Sequence, residues 1–286
     1  MILSTSTFGP AGPSITRLGL GGEGVLRTFG RDREARAVID AALDGGITYC
    51  ESARAYAGSE QYYGKALGSR REKIFLATKV HERTFAGAMA MLEASLRALD
   101  TAYLDLWQIH DVRDASDLDA LDAPDGAYAA CLEARRRGLV RFIGVTGHHD
   151  PVILRAALER AAFDSVLLPV NPGEGSLSDA FERSVIPAAR ARGMAVIGMK
   201  VLARGLLPRA GVAADEALGY ALSADVDAVV VGCDDVEQVR ANLAAAAAFR
   251  PWDAAARAAL ERRVAPLSGR LAYYRGPAPA GSNSRA

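Results

Sequence analysis

Three apolar runs in this chain end in side chains that can move protons: TYCESARAY carries Glu51 and Tyr56, IFLATKV carries Lys79, and LDLWQIHD closes on His110. Set on successive parallel strands, these four side chains meet at one rim. A phenol ordinarily ionises near pH ~10, so Tyr56 needs a neighbouring cation to exchange its proton near neutrality, and Lys79 supplies one. Glu51 is the carboxylate placed to keep that lysine charged. His110, with a donor and an acceptor nitrogen, can orient a carbonyl oxygen toward the Tyr56 hydroxyl. Together they make a site for protonating a carbonyl oxygen. Taken singly they read more plainly: Tyr56 as a loop aromatic, Glu51 with Lys79 as a structural ion pair, His110 as a ring bonded to backbone. Lysine usage favours the chemical reading. Lys65, Lys73, Lys79 and Lys200 are the only lysines in a chain rich in arginine, and two of them stand at strand ends, where a compact point charge is not interchangeable with a guanidinium.

These residues are positioned by an alternation of β-branched apolar runs with longer Ala/Leu/Arg/Glu segments of helical period, which predicts a parallel sheet covered by helices. The expected strands are Leu18–Gly22, Thr48–Ser52, Ile74–Lys79, Leu104–His110, Phe142–Thr146, Val166–Asn171, Val196–Lys200 and Ala228–Gly232. The expected helices are Arg33–Asp44, Ser59–Leu67, Phe85–Leu99, Ala127–Arg137, Pro151–Ala161, Ser178–Arg192, Ala213–Ala224 and Val236–Phe249, with Gly45, Gly68, Gly138 and Gly193 as stop signals. Eight such units in about 250 residues predict an α/β fold, a (β/α)8 TIM barrel whose chemistry sits where strands pass into βα loops. Met1–Arg17 reads as a hairpin plugging the barrel bottom and Pro251–Leu267 as an extra C-terminal helix. We expect one domain over 1–270 and a disordered tail over 271–286.

Lys+Arg 34 against Asp+Glu 34 leaves no electrostatic footprint for nucleic acid or an anionic membrane, so a small neutral partner is expected. The start, MILSTSTFGPAGPS, has neither a basic nor an apolar leader region, and no later run approaches the ~20 apolar residues of a span, which points to the cytoplasm. Cys50, Cys131 and Cys233 form an odd set without CxxC or metal spacing; they read as small buried apolar residues, with no disulfide and no metal. Oligomeric state is not legible.

The ordered set of four resembles the aldo-keto reductase superfamily, whose catalytic tetrad is Asp, Tyr, Lys and His in this order. GGITYCESARAYAGSE is similar to its glycine-led second-strand motif, IFLATKV to its lysine strand, LDLWQIHD to its histidine strand and RFIGVTGHHD to its fifth-strand motif. MAVIGMKVLARG and VVVGCDDVEQVRANL are similar to its seventh strand and final cofactor turn, so the resemblance runs over nearly the whole chain. The segments GEGVLR, GVTGHHD and GMKVLARG look most like bacterial members without an assigned substrate. The resemblance implies NAD(P)H-dependent, reversible reduction of an aldehyde or ketone, with Tyr56 as general acid, Lys79 lowering its pKa and His110 positioning the carbonyl. Glu51 stands where the family has aspartate. Its extra methylene must fold back or shift the lysine, and reacting geometry tolerates little displacement.

No side chain donates hydride, so the resemblance also implies a nicotinamide dinucleotide, NADP(H) in most relatives. GLGGEG fits GxGxxG through Gly19, Gly21 and Gly24, but no helical pattern starts until Arg33, so it is not read as a Rossmann turn; a close approach of ligand to backbone, Gly22 included, is the functional alternative to a plain turn. By resemblance, Thr146 and Gly147 occupy the carboxamide-holding position and Asn171 remains at the sixth strand's end, where Leu167 replaces the usual glutamine. Met199 falls at the nicotinamide-stacking position and Lys200 at the strand end beside it. Arg204 is the candidate clamp for pyrophosphate or 2′-phosphate, and Gly232, Cys233, Asp234, Gln238 and Asn242 surround the adenosine half. Asp234 and Asp235 disfavour a 2′-phosphate, which leaves NAD(H) open. His81, His148 and His149 lie beside the rim, and at most one is expected to touch ligand. Two other readings remain: a Schiff-base aldolase using Lys79 or Lys200, and a dinucleotide-binding redox-sensing or regulatory subunit with little turnover. Substrate choice depends on the loops Val112–Asp125 and Pro172–Ser178, whose shapes the sequence does not fix.

Overall fold

Every β-branched run folds as a strand within two residues of its expected ends in the computed structural model, which describes residues 2–276. A short antiparallel hairpin comes first, β1 (Thr5–Thr7) against β2 (Ser14–Thr16). Then β3 (Leu18–Gly24), β4 (Tyr49–Glu51), β5 (Phe75–Val80), β6 (Leu104–Ile109), β7 (Val140–Thr146), β8 (Ser165–Pro169), β9 (Ala195–Met199) and β10 (Ala228–Cys233) pair in parallel, each with its successor, and β10 closes on β3. The helices are α1 (Asp32–Asp44), α2 (Ser59–Leu67), α3 (Phe85–Ala98), α4 (Ala115–Asp122), α5 (Ala127–Arg136), α6 (Pro151–Arg160), α7 (Pro172–Gly175), α8 (Phe181–Arg190), α9 (Leu206–Arg209), α10 (Ala214–Leu222), α11 (Val236–Ala248), α12 (Ala254–Val264) and α13 (Ser268–Leu271). The fold is the (β/α)8 barrel with an N-terminal hairpin. Among the helices, α4, α7 and α9 are short insertions in the loops after β6, β8 and β9.

Side chains alternate across a strand with a period of two, so each inward residue at the lower end fixes another at the upper end. The lower interior is apolar: Tyr49, Phe75, Ala77, Leu106, Leu167, Ile197, Ala228 and Val230 pack together. Phe8 of the hairpin closes that end, its ring 4.6 Å from Phe75 and 5.1 Å from Phe142. Two residues above Tyr49 comes Glu51, two above Ala77 comes Lys79, and the step from Leu106 through Gln108 reaches His110. Gly19 and Gly21 of β3 make this possible. A Cβ at Gly19 would lie 2.7 Å from the Tyr49 ring, and one at Gly21 would lie 3.7 Å from the Glu51 carboxylate.

Outside the strands a larger apolar layer joins them to the helices. Six of the helices, α3, α4, α6, α7, α11 and α12, begin on polar side-chain caps that take up otherwise unpaired amides. Asp150 accepts from Val152 N ahead of Pro151 in α6, and Asp235 accepts from Gln238 N in α11. The chain past residue 270 also belongs to the packed body as far as the described residues run. Leu271 and Tyr274 are buried, and Arg275 pairs with the buried Glu174, so the domain boundary expected at 270 falls inside packed structure. The rest of that expected tail, 277–286, lies outside the described residues. No helix among the described residues is long and apolar enough to cross a membrane.

Candidate active site

At the upper rim, Lys79 and Glu51 form a buried ion pair, their side chains 1% and 4% exposed. The Lys79 ammonium also donates to the Ser52 carbonyl at 2.9 Å and to the Tyr56 hydroxyl at 3.4 Å. Tyr56 is brought there by the tight turn after β4, where its N–H bonds the Ala53 carbonyl and its own carbonyl receives Ser59 N–H. Arg27 lies 5.0 Å over the Tyr56 ring, and the His110 ring meets Tyr56 edge-on with centroids 5.9 Å apart. The His110 backbone N–H donates to the Val80 carbonyl, and the residue lines a small pocket of about 40 Å³ with Ala55, His81 and Asp111. The four residues, taken from the ends of three strands, therefore share one place.

Their electrostatics differ from the sequence expectation in one respect. Lys79 does not pull the Tyr56 hydroxyl below its ordinary value: loss of water around the phenolate, then the negative charge of Glu23, push it up, and Arg27 and Arg204 only partly offset this. Burial also drives Lys79 well below the ordinary lysine value, with Glu23 opposing. It pushes His110 well below the ordinary imidazole value too, helped by the charge of Lys79. At neutral pH the site thus holds a protonated phenol beside a neutral imidazole, a donor pair for a carbonyl oxygen.

A cleft of about 540 Å³ runs from Tyr56 and Glu51 across the ends of β9, β10 and β3 to the start of α11. Met199, Lys200, Arg204, Gly232, Asp234, Gln238 and Asn242 all line it, as does Glu23, which sequence reasoning missed. Glu23 receives Arg27 at 3.0 Å and Arg204 at 3.3 Å. Burial disfavours its charge, but Arg204, Arg27 and Lys200 outweigh that and hold the carboxyl below its usual range. Lys200, Ala203 and Arg204 take left-handed backbone angles, φ 57°, 45° and 53°, so the loop over the cleft is held in a conformation few non-glycine residues adopt. Lys200 lies 5.0 Å over the Tyr274 ring, and burial, then Arg204, lowers it to about 8.

Five residues expected around a cofactor do not line this cleft. Gly22 and Gly147 are packing glycines: a Cβ on Gly22 would meet Ser59 Oγ at 2.6 Å, and one on Gly147 would meet Leu154 and the Val112 carbonyl at 3.1 Å. Thr146 is buried, its Oγ1 accepting from Asp111 N at 2.7 Å. Asn171 caps α7 through Glu174 N and donates to the Lys200 carbonyl and Tyr274 hydroxyl, so its amide is spent inside the fold. Cys233 is buried, with Asn242 donating to its sulfur at 3.4 Å. GLGGEG is strand from end to end, followed by a single 3-10 turn, Val25–Arg27, and no α-helix begins before α1 at Asp32.

The α11 end of the cleft is acidic. Asp235 occupies one amide of α11, Asp234 N donates to Gln238 Oε1 at 2.9 Å, and Glu237 follows in the first turn. The cleft nonetheless joins Tyr56 to the α11 N-terminus without interruption, the run that a ligand with a reactive ring at one end and a nucleotide at the other requires. Its volume lies within the ~300–1,000 Å³ usual for ligand sites.

A family model described as the aldo/keto reductase family matches residues 17–215. The uncharacterized oxidoreductase YrpG of Bacillus subtilis (strain 168) is 30% identical over 227 residues, covering 70% of this chain and 67% of that protein. Pyridoxal 4-dehydrogenase of Microbacterium luteolum is 28% identical over 253 residues, covering 71% of this chain and 72% of that one. Aldo-keto reductase AKR11C1 from Bacillus halodurans, in its holo form, superposes with a TM-score of 0.77 at 26% identity, over 92% of this chain and 96% of that one.

Proposed function

This chain belongs to the aldo/keto reductase family of oxidoreductases, and on that premise we propose that it reduces an aldehyde or ketone to the alcohol, reversibly, with a nicotinamide dinucleotide. The observation that carries the reading is Tyr56, which lines one end of a continuous cleft with the Lys79 ammonium 3.4 Å from its hydroxyl and the His110 ring edge-on against its own. The dinucleotide, when bound, supplies hydride to the carbonyl carbon. Met199, at the barrel mouth, offers a polarizable face to the reactive ring. Lys200 and Arg204 supply positive charge toward its phosphates, and Gln238 and Asn242 flank the nucleotide end. His110 and Tyr56 both point donors at the substrate oxygen, and Tyr56 gives up its proton as negative charge develops there. The raised hydroxyl keeps that proton until substrate arrives. Lys79, donating to Tyr56, stabilises the phenolate that remains.

NADP(H) is the cofactor family membership favours. The carboxylates at Asp234, Asp235 and Glu237 weaken discrimination by the 2′-phosphate, and Arg204 is already shared with Glu23, so we propose that NAD(H) serves as well.

The test is oxidation of NADPH and NADH across an aldehyde panel, wild type against Tyr56→Phe. A loss of about 10²–10⁴-fold in kcat with cofactor affinity retained is the expected result. Cofactor binding without turnover by the wild type would favour the regulatory reading instead. The aldolase reading gains from Lys200, whose lowered value makes a neutral amine accessible. Borohydride trapping of a substrate carbonyl on Lys200 would move the assignment there.

A further inference from the structure

Across the mouth from the large cleft, the loops after β6 and β7 bring Asp111, His148 and His149 together, with their donor atoms within 4.8 Å of one another. Thr146 fixes the arrangement by accepting Asp111 N–H, which ties the end of β6 to the end of β7. The two carboxylate oxygens of Asp111 have different surroundings. Oδ2 receives Arg113 Nε at 2.7 Å. Oδ1 faces His148 Nδ1 at 3.2 Å and His149 Nε2 at 3.3 Å.

Those contacts are at hydrogen-bond distance, and each is a hydrogen bond only if the ring nitrogen facing Oδ1 carries a proton. Asp111 Oδ1 and His149 Nε2 are both buried without a hydrogen-bond partner, and Asp111 as a residue is only 8% exposed. The His149 ring shows why. Its Nδ1 lies 3.2 Å from the Gly276 carbonyl, which can only accept, so the proton of a neutral ring belongs on Nδ1 and Nε2 presents a lone pair. Two acceptors then face each other at 3.3 Å in a place shielded from water. That arrangement is unfavourable until a cation lies between them.

We propose that Asp111 Oδ1, His148 Nδ1 and His149 Nε2 form a binding site for a divalent transition metal of the zinc type. Zinc bonds of about 2.0–2.1 Å in tetrahedral geometry set neighbouring donors about 3.3 Å apart, the spacing found on both sides of Oδ1. Two imidazoles and one carboxylate suit zinc, whereas calcium and magnesium take oxygen ligands throughout. The Gly276 carbonyl on His149 Nδ1 is the outer contact that orients a ligating imidazole. A groove of about 700 Å³, lined by Arg113, Asp114, His149, Asp150 and Arg275, opens beside the cluster and gives the ion a path and a fourth position for water or an oxygen-bearing ligand. A metal held there would fasten the segment at residue 276 to the mouth, one residue from His110.

The test is calorimetric titration of the full chain with zinc chloride, followed by cobalt substitution, whose visible spectrum distinguishes tetrahedral from octahedral ligation. One equivalent per chain, a tetrahedral cobalt spectrum, and a loss of about tenfold or more in affinity in His148→Ala and His149→Ala are expected, with His81→Ala binding as the wild type does. Absence of saturable zinc binding by the wild type would overturn the proposal without recourse to any variant. So would an octahedral cobalt spectrum, or one-equivalent binding that survives the double replacement of His148 and His149. The readout needs no turnover, so its outcome is independent of the reductase reading.

Discussion

Glu51 and Lys79, inward residues of adjacent strands, neutralise each other within 5% exposure, and the Lys79 ammonium is left 3.4 Å from the Tyr56 hydroxyl. That separation is longer than the ~2.7–3.2 Å of a good hydrogen bond to nitrogen. Glu51→Asp withdraws the carboxylate by one methylene and lets the ammonium settle closer to the phenol, so turnover should rise, by up to about tenfold. Steady-state kcat for a model aldehyde reads it. Unchanged kcat would mean the glutamate positions Lys79 as well as an aspartate does.

Lys200 gives a pH signature. Burial pushes it down to about 8 in the folded chain, from the ~10.4 of an unperturbed lysine. Between those values the unfolded chain binds more protons than the folded one, so this residue makes stability rise with pH across that window and contributes a constant deficit below it. Lys200→Met should remove the slope. Urea midpoints of both proteins, measured from pH ~7 to ~10.5, should diverge most at the acidic end and converge toward the alkaline end. Parallel curves would refute the assignment.

Asp234 lines the α11 end of the cleft, where we propose the nucleotide lies, with Asp235 and Glu237 beside it. Asp234→Ser removes one negative charge and adds a hydroxyl, so NADPH affinity should improve relative to NADH by a factor of about two to five, the size of an exposed charge interaction. The gain should shrink as salt is raised. Fluorescence titration with both cofactors checks this, and an equal gain for NADH would show that the carboxylate acts on the nucleotide generally.

Phe8 is 2% exposed and fills the closed end of the barrel between Phe75 and Phe142. Phe8→Ala should cost about 3–5 kcal/mol, because the strands around it cannot collapse into the space. Urea denaturation measures the loss. A cost below about 1 kcal/mol would show that the hairpin is an accessory to the barrel and not its plug.

How much of this was legible in the sequence divides by range. Strand order and the convergence of Glu51, Lys79 and His110 follow from a period of two and from parallel connection, both local rules. The short helix α4 was missed although it has a signal: Asp114 caps Ser116 and Asp117, and Asp117 returns to Arg113 N. Glu23 was missed because GLGGEG was weighed for its glycines, while the alternation that turns Gly19 and Gly21 inward also brings Glu23 to the mouth. Asn171 and Gly147 could not be placed from sequence alone. Their partners, Tyr274 and Leu154, are fixed only by tertiary packing. The direction of the Tyr56 shift has the same origin, since burial and Glu23 outweigh the nearby cations only once the mouth is assembled.

The hairpin plug at one end of the cylinder and the Gly276 contact with His149 at the other make the molecule polar as an object to be handled. A tether or affinity handle joined ahead of β1 hangs from the closed base, opposite the chemistry. Gly276, by contrast, is held at the lip against His149.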